Sequence, residues 1–240
     1  MPRFFVDPIV GDSTVVTGQD AHHIARVLRM REGEPLTLCD GVGIDYHCEI
    51  DGFSDGAVQL RVLSRGVSQS EPSLAVTLYQ GLPKSEKMDF IVQKAVELGA
   101  VRVVPVAMAR SIVKLKADEG TKKQQRWQKI ATEAAGQSGR GCIPQVSMPI
   151  TFKQAVTEMK NGPAVAFYEG GGQPLSELVN KSTSSLSMMI GPEGGFEESE
   201  IELLRQNGVH IVTLGKRILR CETAPVAALA IVMQLTGNME

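Results

Sequence analysis

The densest concentration of residues able to do chemistry lies between positions 169 and 223, in three glycine-marked segments. They are Glu169-Gly170-Gly171-Gly172, Gly191-Pro192-Glu193-Gly194-Gly195-Phe196, and Gly215-Lys216-Arg217-Ile218-Leu219-Arg220-Cys221-Glu222-Thr223. Glycine lets backbone amides come close to a ligand. One such turn says little, since tight turns need glycine anyway. Three of them, each following an apolar run, could line one pocket. The same segments carry carboxylates, Glu193 and Glu222, able to accept a proton. They also carry Arg217 and Arg220, able to stabilise developing negative charge. A fourth segment, Gly136-Gln137-Ser138-Gly139-Arg140-Gly141, is polar and basic. It suits a phosphate or base contact, and equally a solvated helix end.

The elements that must position these segments alternate. Ala164 to Tyr168, Ser187 to Ile190 and His210 to Leu214 read as buried strands, preceded by Leu74 to Gln80 and Val101 to Val106. Ser85 can cap a helix carrying Met88, Ile91, Val92, Ala95 and Leu98, closed by Gly99. Around Lys122 to Gln137, Trp127, Ile130, Ala131, Ala134 and Ala135 share one helical face. Strands alternating with helices imply a parallel sheet covered by helices, whose ligands sit beyond the carboxyl ends of the strands. A last helix starts near Thr223, a candidate cap, with Pro225 in its first turn. Val226, Leu229, Ala230 and Met233 form one stripe, and Ala227, Ala228, Ile231, Val232 and Leu235 fill much of the rest. A helix apolar on most sides is buried on most sides, against its own sheet or at a subunit interface.

The first 70 residues have another texture. Short β-branched runs at 14–17, 36–38 and 58–63 are separated by turn signals at Asp40-Gly41, Asp51-Gly52 and Asp55-Gly56, with one helix near Asp20 to Leu28. This predicts a small β-barrel. Residues 68–73, polar and holding Pro72, read as the linker to the α/β part.

Composition narrows the class. Of 240 residues, 42% are hydrophobic and 22% charged, as expected of a globular chain rather than a disordered one. No run approaches the roughly 20 apolar residues of a membrane span, and the first residues lack the form of a signal peptide, so the expectation is a cytoplasmic protein with no membrane partner. Cys39, Cys48, Cys142 and Cys221 form no C-x-x-C pair; no metal site is expected, and reduced, packed thiols are. Nucleotide fingerprints of the G-x-G-x-x-G and G-x-x-x-x-G-K-[ST] types are absent. The net charge is -2, yet residues 110–140 hold eight Lys/Arg against three Asp/Glu. Such a strip can bind phosphates, or it is only a solvated helix face.

Four motifs resemble one family. Ile190-Gly191-Pro192-Glu193-Gly194-Gly195-Phe196 is followed by Leu214-Gly215-Lys216-Arg217-Ile218-Leu219-Arg220-Cys221-Glu222-Thr223-Ala224. Upstream stands Trp127-x-x-Ile130-x-x-Glu133-Ala134-Ala135-x-Gln137-Ser138-x-Arg140, and in the first part His22-His23-Ile24-x-Arg26-Val27-Leu28-Arg29. In this order they resemble the RsmE family, S-adenosylmethionine-dependent enzymes that methylate N3 of a uridine in small-subunit ribosomal RNA. The resemblance spans nearly the whole chain. It implies an α/β fold: a small PUA-like β-barrel RNA-binding domain (1–70), then a SPOUT-type parallel-sheet methyltransferase domain (74–240) with a C-terminal trefoil knot. It further implies a homodimer, with ribosomal RNA or the small subunit as substrate. Cys221 departs from the threonine usual there.

On that resemblance S-adenosylmethionine is expected against Tyr168, Glu169, Ile190, Gly191, Pro192, Glu193, Gly194, Gly195, Leu214, Gly215, Ile218, Leu219, Arg220, Thr223 and Ala224. RNA is expected on Arg26, Arg29, Lys122, Lys123, Arg126, Gln137, Arg140 and Arg217. Catalysis must deprotonate uracil N3. Glu193 or Glu222 could take the proton, or an arginine, Arg220 before Arg140, could stabilise charge on the flanking carbonyl oxygens. Two other readings stay open: an RNA-binding protein without catalysis, and an enzyme whose glycine loops cradle nucleotide phosphates.

Overall fold

The computed structural model describes residues 1–111 and 117–239, and its contacts divide the chain into two units. Lys114 and Lys116 of the basic strip lie outside the described residues. The first unit is Met1–Glu71 with Ala135–Ile143, and the second is Pro72–Ala134 with Pro144–Glu240.

The first unit holds one five-stranded sheet of β1 (Arg3–Phe5), β2 (Ser13–Val16), β3 (Pro35–Cys39), β4 (Ile44–Ser54) and β5 (Ala57–Val67), in the order β1-β3-β4-β5-β2. In β5, Val58, Leu60 and Val62 are buried while Gln59, Arg61 and Leu63 are exposed, the alternation of a sheet with one wet face. The buried set packs on Ile24, Leu36, Leu38 and Ile50. Asp55 and Gly56, with φ of 51° and 77°, make the tight β4–β5 hairpin that the sequence suggests. Asp51-Gly52 does not turn the chain. It lies inside β4, where the pairing with β5 shifts between Ile50 and Gly52, so the glycine marks a bulge. The helix expected near Asp20 is α1 (Gly18–His22) followed by one π-turn (His23–Val27), in which Leu28 N–H bonds to the His23 carbonyl.

Residues 135–143 are fastened within this unit by a buried ion pair. Arg140 is 3% exposed, and its guanidinium lies 2.6 Å from Glu71, whose carboxylate also accepts the amides of Gly141 and Cys142 at 2.9 and 3.0 Å. Burial alone would raise the Glu71 carboxyl, but Arg140 and the two amides outweigh it and hold it below its usual range.

The second unit carries an eight-stranded sheet, parallel in every pairing. Its strands are β6 (Ala75–Gly81), β7 (Arg102–Ala107), β8 (Gln145–Val146), β9 (Ile150–Thr151), β10 (Ala164–Phe167), β11 (Gln173–Pro174), β12 (Ser185–Ile190) and β13 (His210–Thr213). The order is β11-β13-β10-β12-β6-β7-β8, with β9 also on β7. The interior strands are largely apolar, β10 entirely so, because helices cover both faces of such sheets. The helices are α2 (Lys87–Glu97), α3 (Ala117–Gln137), α4 (Phe152–Met159), α5 (Glu198–Gln206) and α6 (Thr223–Leu235).

Two helix starts differ from the sequence reading. Ser85 sits in a left-handed turn (φ 56°), and Glu86 takes the cap position of α2. Thr223 is the first residue of α6 rather than its cap; Glu222 occupies the cap position. Trp127 is core, 4% exposed, with its indole N–H on Asp89. Among the described residues no helix is long and apolar enough to cross a membrane, no cluster could hold a metal ion, and the four cysteines are free.

Candidate active site

Strand register brings the glycine segments together. Phe167 pairs with Ile190 on one side and with Val212 on the other, so β10, β12 and β13 end at one level and their loops leave the sheet side by side. Between them lies a cavity of about 540 Å3, lined by residues 167–169, 190–195, 213–221 and 224. That size suits a small-molecule ligand. It sits at the carboxyl ends of parallel strands, beside the point where the strand order reverses between β12 and β6.

Every residue expected to hold the cofactor lines this cavity except Thr223, which α6 carries out of it. Arg217, expected on RNA, lines it too, as do Lys216 and Cys221. Local crowding, with a left-handed backbone in one case, explains two of the glycines. A Cβ on Gly195, whose φ is +69°, would stand 2.0 Å from Glu169 Oε1, and one on Gly172 would stand 2.5 Å from the Ile211 carbonyl oxygen.

The two candidate bases are held as carboxylates. Lys87 Nζ lies 3.2 Å from Glu193 Oε1, which lines the cavity, and 3.1 Å from Glu222 Oε2, which does not. The Lys84 amide also donates to both Glu193 oxygens, at 3.1 and 3.3 Å. Burial pushes Glu193 up, but its own amide, that of Lys84, and Lys87 prevail and lower it. Glu222 is lowered chiefly by the Cys221 thiol, 3.2 Å away, and further by Lys87. A carboxylate held this way is a weak base near neutrality. Burial and then Glu222 push the Cys221 thiol up to about 12, which makes it inert as a nucleophile.

Arg220 is exposed, lines the cavity, and has no ion-pair partner among the described residues. Its carbonyl accepts the amides of Thr223 and Ala224 at 2.9 Å each, fixing its backbone at the start of α6. Lys216 and Arg217 are likewise exposed and unpaired among the described residues. The sequence reading missed Lys216 although it stands inside the motif, and missed Arg110, whose guanidinium donates to the Gly194 carbonyl at 3.0 Å.

The expected RNA strip needs correction. Arg140 does not line the cavity; it is buried against Glu71, so it is neither an exposed RNA contact nor a free catalytic cation. Arg126 is bound to Glu86 and Asp89, and Lys129 pairs with Glu133. Lys122 and Gln137 are exposed and Lys123 is half-buried, while Arg26 and Arg29 are exposed in the first unit.

Comparison with known proteins agrees with these features. Residues 70–233 match the RNA methyltransferase domain family, and residues 16–63 match the RNA methyltransferase PUA domain. The chain is 38% identical to the ribosomal RNA small subunit methyltransferase E of Bacillus subtilis, over 92% of this chain and 90% of the relative. It is 34% identical to that of Synechocystis, over 95% and 76% respectively. Among solved structures, the ribosomal RNA small subunit methyltransferase E of Neisseria gonorrhoeae, bound to S-adenosyl methionine, is similar with a TM-score of 0.87 and 32% identity, covering 98% of each chain. A PUA-like first unit, a SPOUT-like parallel-sheet second unit and a glycine-lined cavity at its strand ends agree with these matches: the chain belongs to the ribosomal RNA small subunit methyltransferase E family.

Proposed function

We propose that this protein transfers a methyl group from S-adenosylmethionine to N3 of a uridine in 16S ribosomal RNA. The observation that carries the reading is the convergence of three strand-end loops on one cavity whose exposed cations, Lys216, Arg217 and Arg220, lack carboxylate partners among the described residues. Bound there, the cofactor supplies an electrophilic methyl group. Residues 190–195 and 214–224, with Tyr168 and Glu169, hold it through backbone groups and packing; Thr223 acts only by starting α6. Arg220 reaches the carbonyl oxygens beside uracil N3 and stabilises the charge left when N3 loses its proton to solvent water. Lys87 pins Glu193 and Glu222 as ionised partners, which favours the arginine route over a carboxylate base. Arg217 and Lys216 meet the RNA backbone, with Lys122, Lys123 and Gln137 of α3. The first unit adds Arg26 and Arg29, in keeping with RNA binding by residues 1–70 and methyl transfer by 74–240.

Two further features belong to this reading. One is a C-terminal trefoil knot, a reading supported by β13 lying between β10 and β11, which residues 168–172 join, and by the closeness of Gly172 to the Ile211 backbone. The protein is also a cytoplasmic homodimer, joined through α6. Val226, Ala227, Ala230 and Leu235 are only half-buried in the single chain, and Ile231 is 42% exposed. An apolar face left half open in this way supports a contact between subunits. Equilibrium sedimentation is expected to give twice the chain mass at micromolar protein, and a monomer there would remove the dimer.

Calorimetry separates the function classes. Saturable binding of S-adenosylmethionine with no response to ATP or NAD is expected. Binding of the phosphorylated nucleotides instead would favour a phosphate cradle, and binding of RNA alone would favour a protein without catalysis.

A further inference from the structure

Lys87 stands at the start of α2, outside the cavity lining, yet it touches both loops that build the cavity. Its ammonium contacts Glu193 of the 191–195 loop and Glu222 of the turn into α6, at 3.2 and 3.1 Å, and lies 3.8 Å from Cys221 Sγ. The acids of its own helix and cap do not compete, because Arg126 occupies both Glu86 and Asp89 and Lys94 pairs with Glu97. Three residues earlier, the Lys84 amide grips Glu193 a second time. Met88 and Ile91, 2% and 1% exposed, anchor α2 in the core, so the stem of Lys87 rises from a fixed base.

We propose that Lys87 is a positioning residue that clamps the 191–195 loop to the 219–222 turn and so sets the shape of the cofactor cavity. The inference rests on the cofactor reading above. One cation here balances two carboxylates. Without it, Glu193 and Glu222 face each other across the joint between the loops, and like charges at this spacing repel. The other groups that touch the two acids, the Cys221 thiol and the Lys84 backbone amide, are uncharged, and among the described residues the Lys84 ammonium makes no ion pair with Glu193 or Glu222. The cavity then opens on the side of Pro192 and Cys221, and ligand affinity falls although no lining residue has changed.

The test measures S-adenosylhomocysteine affinity by calorimetry in the wild type, Lys87→Met, Lys87→Arg and the double variant Lys87→Met/Glu222→Gln, with melting curves alongside. Lys87→Met is expected to bind at least about tenfold more weakly near neutral pH, a cost typical of breaking a partly buried charge pair. Lys87→Arg, which keeps the charge, is expected within about threefold of the wild type. Affinity of Lys87→Met is expected to recover as pH falls and one carboxylate gains a proton. The double variant is expected to recover at neutral pH, because one of the opposed charges is gone; a merely space-filling lysine would yield neither recovery. Should Lys87→Met not fold, the double variant carries the comparison: affinity near that of the wild type supports the clamp, and lost affinity with an intact melt overturns it. Lys87→Met binding as tightly as the wild type, or with no recovery by acid or by Glu222→Gln, also overturns it. A wild type that fails to bind would instead overturn the cofactor reading.

Discussion

Valine at Gly191 or Gly215 is expected to weaken S-adenosylmethionine binding at least about a hundredfold, a loss of about 3 kcal/mol. Gly191 is buried in the cavity wall, and a Cβ there would stand 3.2 Å from the Phe196 ring and 3.3 Å from the Gly195 carbonyl carbon. The two further carbons of valine must displace Phe196 or enter the cavity, and Phe196 is core, 2% exposed. Gly215 has φ +96° and open space beyond it, so a β-branched residue there both strains the backbone and projects beside the ligand. Gly162→Ala is the control, since that position has open space and lies away from the cavity. Calorimetry reads all three. Unchanged affinity in both valine variants would remove the pocket assignment.

Arg220→Lys is expected to keep cofactor affinity within about threefold and to lower methyl transfer about a hundredfold, the usual cost of losing one donor to a developing oxyanion. Lysine preserves the charge but not the planar fork that can address a carbonyl oxygen squarely. The pH dependence carries the sign of the mechanism. Uracil N3 is a weak acid, so raising the pH supplies more of the anion without help. The deficit of the variant is therefore expected to shrink as pH rises. Single-turnover rates on small subunits across an alkaline pH series would show it. A deficit constant with pH, or a fully active variant, would return the search to Glu193 and Glu222, despite the hold that Lys87 keeps on both.

Much of this site could be read from the chain because its signals are local. Apolar runs ending in glycine at 167–172, 190–195 and 213–215 are consecutive in sequence, and parallel register alone aligns their ends. The apolar girth of α6 was equally plain, and the half-buried Val226 and Ala230 reflect it. What escaped depends on contacts distant along the chain. Arg140 looks like an RNA contact until Glu71, 69 residues away, is seen to neutralise it in the core. Arg126 looks like part of a basic strip until α2 presents Glu86 and Asp89. Lys87 gives no signal at all, because it lies 134 residues from Cys221 and its neighbours read as an ordinary helix start. Strand β4 was hidden for another reason: Asp51-Gly52 has the composition of a turn, and only its pairing with β5 makes it a bulge.

The central claim is tested most directly by digesting 16S ribosomal RNA to nucleosides after incubation with the purified protein and S-adenosylmethionine. The RNA comes from small subunits of cells lacking N3-methyluridine, and the products are resolved by mass spectrometry. The account predicts N3-methyluridine that appears only with both protein and cofactor, and falls sharply with Arg220→Lys. Methylation at a ribose oxygen or a base carbon with N3 unmodified, or no methylation by protein that binds the cofactor, would contradict it.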